Sequence, residues 1–166
     1  MTKKVDEGFF LCSDSHFFHK NIIKYCKRPF KSVKQMNKTM IDNWNGVVSN
    51  DDTIYFLGDF VIGRYKDQFA KLIREELNGN IIFIKGNHDS GVKSISMKKN
   101  ITITYGGVDI ILSHKPLVDF DGINIHGHVH NNDYDKKDNS FNVSVEEIDY
   151  TPIHIDKVLE ELNGLK

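Results

Sequence analysis

Residues 84–90 read IKGNHDS, and this segment closes an apolar run that begins at residue 81. Over a few positions the chain changes from isoleucine and phenylalanine to an asparagine, a histidine and an aspartate behind a glycine. A short apolar run that ends at turn-forming residues is typical of a buried strand. Polar side chains at its end indicate a ligand site, because parallel α/β sheets bind ligands outside the carboxyl ends of their strands.

Two earlier apolar runs end in the same way. Residues 9–13 run into Asp-Ser-His at 14–16, and residues 53–57 run into Gly-Asp at 58–59. With a helix between each pair of strands, the order strand, helix, strand, helix, strand predicts an α/β fold with parallel pairing and right-handed crossovers. The three polar clusters are then expected to meet at one edge of the sheet.

The two connecting helices have their own signals. Ser32 and Gln35 form a capping box that predicts a helix over residues 32–48. The second helix is predicted from about Asp67, and Gly79 is placed to end it. Their apolar stripes are expected to face the core, at Val33, Met36, Met40, Trp44 and Val47 in the first helix and Phe69, Leu72, Ile73 and Leu77 in the second.

The second half of the chain predicts short strands. Residues 101–105 and 108–112 flank Gly-Gly, a link suited to a hairpin with a type I′ turn. Residues 131–139 are polar throughout, which predicts an exposed loop. Two further short strands are expected at residues 123–125 and 141–145, and a final helix is expected at about 156–162.

Composition bounds the class of protein. The chain has 166 residues, 39% apolar and 27% charged, with a formal net charge of -1. These values predict one globular domain over residues 1–166 and argue against a bulk polyanion binder. No run of about 18 apolar residues and no signal sequence is found, so no membrane association and a cytoplasmic location are expected. Cys12 and Cys26 are expected to be reduced.

The residue types in the polar clusters are those that bind metals. Asp14 and His16 are two positions apart, so an extended backbone would point both to one metal. Gly58 allows a sharp turn that brings the carboxylate of Asp59 near a cation. Asn87 offers a neutral amide oxygen as a ligand. Each pattern also occurs without a function.

Two histidine patterns follow in the second half. His114 comes at the end of the second hairpin strand, and alone it would more often be a hydrogen-bonded core histidine. The segment Gly127-His128-Val129-His130 follows a short apolar strand, where its two imidazoles can each face a metal.

Taken in order, these motifs resemble the calcineurin-like metallophosphoesterase superfamily. Two further segments resemble its small bacterial and phage branch, DSHFFHKNIIKYCKRPF at 14–30 and FNVSVEEIDYTPIHID at 141–156. The resemblance implies a β-sandwich flanked by helices, in four α/β/β/α layers. The motifs that carry it are D-x-H at 14–16, G-D at 58–59, G-N-H-D at 86–89, His114 and G-H-x-H at 127–130.

The resemblance also implies the residue roles. Two divalent metal ions would be held by Asp14, His16 and His130 at the first position and by Asn87, His114 and His128 at the second. Asp59 would bridge both ions. His88 would be the catalytic residue beside the pair, as a hydrogen-bond donor or acid, with Asp89 orienting it.

The resemblance and the ligand chemistry together define the expected reaction. A hydroxide that bridges the two metals would attack phosphorus. Mixed nitrogen and oxygen ligands suit manganese, iron, zinc, nickel or cobalt better than calcium or magnesium, and the resemblance favours manganese. Phosphodiester hydrolysis is favoured because no insertion is long enough to cap the site. A phosphomonoesterase, a nuclease and a non-catalytic interaction module of the same fold remain alternatives.

Substrate contacts are less defined. Many members of the superfamily carry G-D-x-x-D-R, whereas here the second aspartate is missing and Arg64 comes one position late. Arg64 and His19 are candidate substrate-binding residues, and a solvated or structural role is open for both. A basic segment interleaved with aromatic residues could track nucleic acid or be a solvated face, and its charges are Lys20, Lys24, Lys27, Arg28, Lys31 and Lys34.

Overall fold

The strands form two five-stranded sheets in a computed structural model that describes residues 2–132 and 137–164. The strands are β1 (Lys3–Val5), β2 (Phe10–Cys12), β3 (Thr53–Phe56), β4 (Asn80–Ile84), β5 (Met97–Lys98), β6 (Asn100–Tyr105), β7 (Val108–Ser113), β8 (Ile123–His126), β9 (Ser140–Asn142) and β10 (Ile153–His154). The helices are α1 (Ile22–Tyr25), α2 (Val33–Val47), α3 (Lys66–Glu76) and α4 (Ile155–Gly164).

The first sheet has the order β10-β2-β3-β4-β5. Strands β2, β3, β4 and β5 are parallel, and β10 pairs with β2 in the antiparallel sense. Helix α2 connects β2 to β3, and α3 connects β3 to β4. The predicted parallel arrangement is therefore confirmed, and the carboxyl ends of β2, β3 and β4 lie at one edge.

The second sheet has the order β1-β6-β7-β8-β9. The hairpin of β6 and β7 is confirmed, with Tyr105 paired to Val108 across the turn. Gly106 and Gly107 have φ of 57° and 81°, the left-handed backbone that a type I′ turn needs at both central positions. Strands β7, β8 and β9 are parallel, so polar loops also follow β7 and β8 at one edge.

Aromatic side chains connect the layers. The ring of Phe9, just before β2, makes edge contacts with Tyr55 of the same sheet and Tyr105 of the other, at centroid distances of 5.0 and 5.5 Å. On the outer side, Trp44 of α2 packs against Phe56 of β3 at 6.2 Å. Helix α4 contacts β9 and β10. The predicted α/β fold, two sheets flanked by helices, is confirmed.

The predicted capping box at the start of α2 forms one of its two usual hydrogen bonds. Ser32 Oγ accepts a hydrogen bond from the amide of Gln35 at 3.2 Å. The side chain of Gln35 accepts from the amide of Lys31 at 2.8 Å, one residue earlier than in the usual motif. The start of the helix is thus held by two side chain to backbone bonds.

The predicted core faces of α2 and α3 are each wrong at one position. Val47 is 41% exposed because α2 ends there, and Val48 takes the buried place in the extended chain that follows. Leu72 is 53% exposed because Ala70 and Ile73 form the buried face of α3. Successive helical residues point about 100° apart, so Leu72 is turned towards solvent.

The loop predicted at 131–139 falls partly on residues 133–136, which lie outside the described residues. Its described positions on both sides are exposed. Strand β9 is shorter than predicted and ends at Asn142. Strands β1, β5 and β10 and helix α1 were not predicted, because two to four residues are too few to show a periodic pattern.

Candidate metal centre

Loops from both sheets place the predicted metal ligands together. Five strands supply them, each from the loop that follows its last residue. The residues are Asp14 and His16 after β2, Asp59 after β3, Asn87 after β4, His114 after β7, and His128 and His130 after β8.

The side chains fall into two groups of three. In each group one ligand atom of every residue lies within 4.8 Å of the other two. Asn87 joins the second group, since its Oδ1 lies 2.9 Å from Nε2 of His114. We call these the first ligand group, made of Asp14, His16 and His130, and the second ligand group, made of Asp59, His114, His128 and Asn87.

Asp59 lies between the two groups. Its Oδ2 is 3.5 Å from Nε2 of His16 and 3.6 Å from Nε2 of His114. Its other oxygen, Oδ1, accepts a hydrogen bond from the amide of His88 at 2.8 Å. One carboxylate oxygen is therefore shared by both groups, while the second fixes the carboxylate to the neighbouring loop.

Buried polar atoms without hydrogen-bond partners support cation binding. Asp14 Oδ1 and both ring nitrogens of His16 are buried and have no hydrogen-bond partner among the described residues. An unsatisfied buried polar group costs about 1–3 kcal/mol. Divalent cations would satisfy these atoms, and the mixture of carboxylate, imidazole and amide donors fits transition metals.

The tautomer of His114 supports cation binding by the second ligand group. Its Nδ1 lies 2.8 Å from the carbonyl oxygen of Leu57, which can only accept, so Nδ1 carries the proton. In the neutral ring, Nε2 then presents a lone pair to the amide oxygen of Asn87 at 2.9 Å. Two acceptor atoms at this separation suit neighbouring ligands of one cation.

Most of the predicted ligands have a strained backbone. Residues with positive φ cost about 1–3 kcal/mol each when they are not glycine, and they cluster at functional sites. The expectation that an extended backbone aligns Asp14 with His16 is wrong, since both are left-handed. The predicted ligands with positive φ are Asp14 (58°), His16 (48°), Asp59 (59°), His128 (70°) and His130 (50°).

Glycines let the loops approach closely. Gly58 has φ of 102°, and a Cβ at this position would lie 2.6 Å from the amide nitrogen of Gly86. A Cβ on Gly86 would overlap Oδ1 of Asp59, and one on Gly127 would overlap Ser13 Oγ and an oxygen of Asp14. The turn predicted at Gly58 is confirmed, and the same need for space explains the other two motif glycines.

The charges of the first group balance each other. Burial works against the charged form of Asp14, but the neighbouring histidines hold its pKa well below the usual range. Burial also works against protonation of His130, yet hydrogen bonding to Cys26 and Glu146 raises its pKa to about 10. Burial lowers the pKa of His128 in the second group. Metal ligation requires neutral imidazole, so cation binding would displace protons from the first group.

Sequence reasoning missed the support of the first group by Arg28 and Glu146. Glu146 lies 3.0 Å from Nδ1 of His130 and accepts a hydrogen bond from Nε of Arg28 at 2.8 Å. Arg28 is buried and also donates to the carbonyls of Asp14 and Ser15, both at 2.8 Å. It is therefore not part of a solvent-facing basic segment. Only the resemblance at 14–30 and 141–156 marked both residues.

His88 lies at the opening of the site. Its side chain is 53% exposed, and its Nε2 is 3.9 Å from Oδ2 of Asp59. Its backbone is held on both sides, because its amide donates to Asp59 and its carbonyl accepts from Nζ of Lys66 at 2.8 Å. The imidazole is thus fixed at its base and open to solvent at its tip.

Asp89 is buried and binds backbone amides. Its carboxylate accepts from Gly86, Asp59 and Phe60, at 2.7, 2.8 and 3.0 Å. These bonds fasten the loop of His88 to the loop of Asp59. The role of Asp89 in orienting His88 stays a prediction. The contacts of Asp89 would act on His88 through the backbone of its loop, since all of them are to backbone amides.

The two candidate substrate-binding residues have different surroundings. The ring of His19 stacks on His16 at a centroid distance of 5.6 Å, and the exposed Tyr25 lies beside it at 6.1 Å. Arg64 is exposed, with its guanidinium 5.6 Å from the ring centroid of Tyr65. His19 borders the first ligand group, and substrate binding by either residue stays a prediction.

Two sheets whose loops combine in one cluster of aspartate, asparagine and histidine ligands define a metal-binding α/β protein of the metallophosphoesterase class. The chain belongs to the calcineurin-like phosphoesterase family, whose model matches residues 9–163. Metal-dependent hydrolysis of phosphate esters is the activity that this family supports.

Similar proteins have been found in archaea, bacteria and phages. An uncharacterised protein of Methanocaldococcus jannaschii is 45% identical over 161 residues, covering 91% of this chain and 89% of the relative. The gene 66 protein of Mycobacterium phage L5 is 27% identical over 156 residues, covering 71% and 75%. A crystal structure of a protein of unknown function from Aquifex aeolicus has a TM-score of 0.74 at 27% identity, covering 94% of this chain and 99% of that one.

Within residues 2–132 and 137–164, none of the helices has the length and apolar character needed to cross a bilayer.

Proposed function

We propose that this chain is a phosphodiesterase that uses two divalent cations, with manganese preferred. The position of Asp59 carries the proposal. One of its oxygens lies within 3.6 Å of a histidine nitrogen from each ligand group, so Asp59 would help to hold a cation at both groups. The native metal and the preference for diesters are part of the proposal.

The charge of the site favours phosphate esters. Asp14 and Asp59 supply two negative charges against four positive charges from two divalent cations, so an anionic substrate is attracted. When bound, the cations would supply Lewis acidity and lower the pKa of a water from about 15.7 towards 7, which provides hydroxide at neutral pH. The chain then needs no serine or cysteine nucleophile.

His88 is the proposed proton donor. Its ring is exposed at the opening of the site, 3.9 Å from Asp59, where it can hydrogen-bond to a phosphoryl oxygen or protonate the leaving group. Proton transfer by a positioned side chain typically contributes about 10²–10⁴-fold. Asp89 supports this role by fastening the loop that carries His88 to the loop of Asp59.

The accessible site supports a diester substrate. The segment between Asp89 and β5 is short, and no cap covers His88 in the described part of the chain. A diester carries a group on both sides of phosphorus, and an open site has room for both. A phosphomonoesterase or a nuclease would use the same residues.

The test combines metal analysis with two chromogenic substrates. Purified protein loaded with Mn²⁺ should hold two ions per chain, measured by mass spectrometry of the metals. It should hydrolyse bis(4-nitrophenyl) phosphate with a higher kcat/KM than 4-nitrophenyl phosphate. A reversed preference would indicate a monoesterase, and protein that neither binds metal nor turns over would indicate an interaction module.

A further inference from the structure

A basic cavity opens beside the second ligand group. Its volume is about 520 Å³, and Asn87 and His114 form part of its wall. This size lies within the range of roughly 300–1,000 Å³ typical of sites for small molecules. We call it the lysine pocket, because its lining includes Lys85, Lys98, Lys99 and Lys115.

The four lysines come from the loops and strands that surround the second ligand group. Lys85 and Lys115 are sequence neighbours of the motif residues Gly86 and His114, while the other two lie at the end of β5 and just beyond it. All four are exposed, no acidic residue lines the cavity, and within the described residues none of the four forms an ion pair. The cavity is therefore positively charged, and no acidic residue of its lining neutralises that charge.

The remaining lining is partly apolar. Met97 and Leu117 also line the cavity. A thioether and a branched aliphatic side chain offer surface to a sugar or a base, whereas the lysines suit an anion. The combination of apolar surface with ammonium groups matches the chemistry of a nucleotide.

We infer that the lysine pocket binds a second phosphate of a nucleotide substrate whose scissile phosphodiester lies at the ligand groups. This inference rests on the proposed function and extends it to a substrate class. The shared wall at Asn87 and His114 makes the two phosphates neighbours on one nucleotide backbone. The substrate is then a phosphodiester with an adjacent phosphate, either a small nucleotide or the end of a strand.

Binding is the first test, since it does not depend on turnover. Adenosine 3′,5′-bisphosphate should bind the Mn²⁺-loaded protein about tenfold more tightly than adenosine 5′-monophosphate in calorimetric titration, because the second phosphate would form charge-assisted hydrogen bonds with lysines of the pocket. The gain in affinity from the second phosphate should shrink as the salt concentration is raised, because salt screens exposed charges. Equal affinity for the two ligands would overturn the inference.

Variants locate the effect. Lys98→Gln/Lys99→Gln should remove most of the gain from the second phosphate, because both side chains line the pocket while neither is next to a motif residue. Lys71→Gln/Lys157→Gln is the matched control, with two exposed lysines on α3 and α4, and it should keep the full gain. A gain that persists in the pocket variant would place the second phosphate elsewhere and contradict the inference.

Substrates distinguish a small nucleotide from a strand. The ratio of kcat/KM for a dinucleotide with a terminal phosphate to that for the same dinucleotide without it should exceed about ten, and should fall towards one in Lys98→Gln/Lys99→Gln. A ratio that rises further with oligonucleotide length supports a strand, and one that stays constant supports a small nucleotide. A ratio near one in the unaltered protein would overturn the pocket assignment.

The failure of the inference is separable from the failure of the proposed function. Protein that hydrolyses bis(4-nitrophenyl) phosphate yet gains nothing from a second phosphate refutes the pocket alone. Protein that hydrolyses no phosphate ester refutes the proposed function.

Discussion

The carboxylate of Glu146 lies 3.0 Å from Nδ1 of His130. A carboxylate only accepts here, so Nδ1 carries the proton, and Nε2 lies 3.8 Å from Oδ1 of Asp14. Arg28 pairs with Glu146 at 2.7 Å and donates to the carbonyl of Asp14. One buried arginine therefore holds the loop of Asp14 directly and, through Glu146, the ring of His130.

Glu146→Gln should weaken metal binding at the first ligand group. The amide keeps the shape of the side chain but loses the charge that balances Arg28 and holds the His130 ring. Outer-shell partners of metal-binding histidines typically contribute about 10–100-fold in affinity. Calorimetric titration with Mn²⁺ should show this loss at one of two sites.

Two variants control this experiment. Glu147→Gln removes a neighbouring exposed carboxylate and should leave Mn²⁺ affinity unchanged, while Glu146→Asp keeps the charge and should restore part of it. Removing one partner of a buried ion pair costs about 3–5 kcal/mol, so circular dichroism must show that Glu146→Gln is folded. Folded protein with unaltered Mn²⁺ affinity would refute the positioning role.

The sequence predicted those parts of the fold that produce a recognisable pattern of apolar and polar residues. The three runs that end at residues 13, 57 and 85 are largely apolar, and each stops at a polar cluster. This pattern predicted the parallel strands and the edge that their polar clusters share. The two-residue β5 and β10 carry no such periodicity. Each is held by pairing with one longer strand, β5 with β4 and β10 with β2.

The candidate site was predictable as a set of residues but not as a geometry. The ordered motifs and the resemblance they carry named the predicted ligands, and the structure brings these side chains together. The left-handed backbone of Asp14 and His16 was missed because neither residue type requires it. The pair of Arg28 and Glu146 was missed because 118 positions separate them, and charged residues are mostly solvent-exposed.

Asp59→Asn should remove both cations and the activity. The amide can still accept the bond from the amide of His88, but it loses the negative charge shared between the two groups. Metal content should fall from two ions per chain towards none, and kcat/KM should fall by more than the roughly 100-fold that an outer-shell change costs. Asp109→Asn, at an exposed carboxylate of β7, is the control. Full metal occupancy in Asp59→Asn would contradict the bridging role.

His88→Ala should keep both cations and lose turnover. Its ring is exposed and lies outside both ligand groups, so metal content should match the unaltered protein. The kcat should fall by about 10²–10⁴-fold on an alkyl phosphodiester, and by less on a 4-nitrophenyl ester, whose leaving group needs no proton. His154→Ala removes a histidine of β10 and should change neither. Unchanged kcat on the alkyl ester would show that His88 is not the acid.

Gly127→Ala should displace Asp14, because the added Cβ overlaps Ser13 Oγ and an oxygen of Asp14. Overpacking of this kind typically costs about 1–3 kcal/mol, measured as the free energy of unfolding in urea, and Mn²⁺ binding at the first ligand group should weaken with it. Gly46→Ala is the matched control, since nothing lies within 4 Å of its Cβ position in α2. There the same substitution should stabilise the protein by up to about 1 kcal/mol, as alanine is the better helix former. Equal unfolding free energies for the two variants would mean that the loop of Gly127 does not pack against Asp14 as closely as the structure shows.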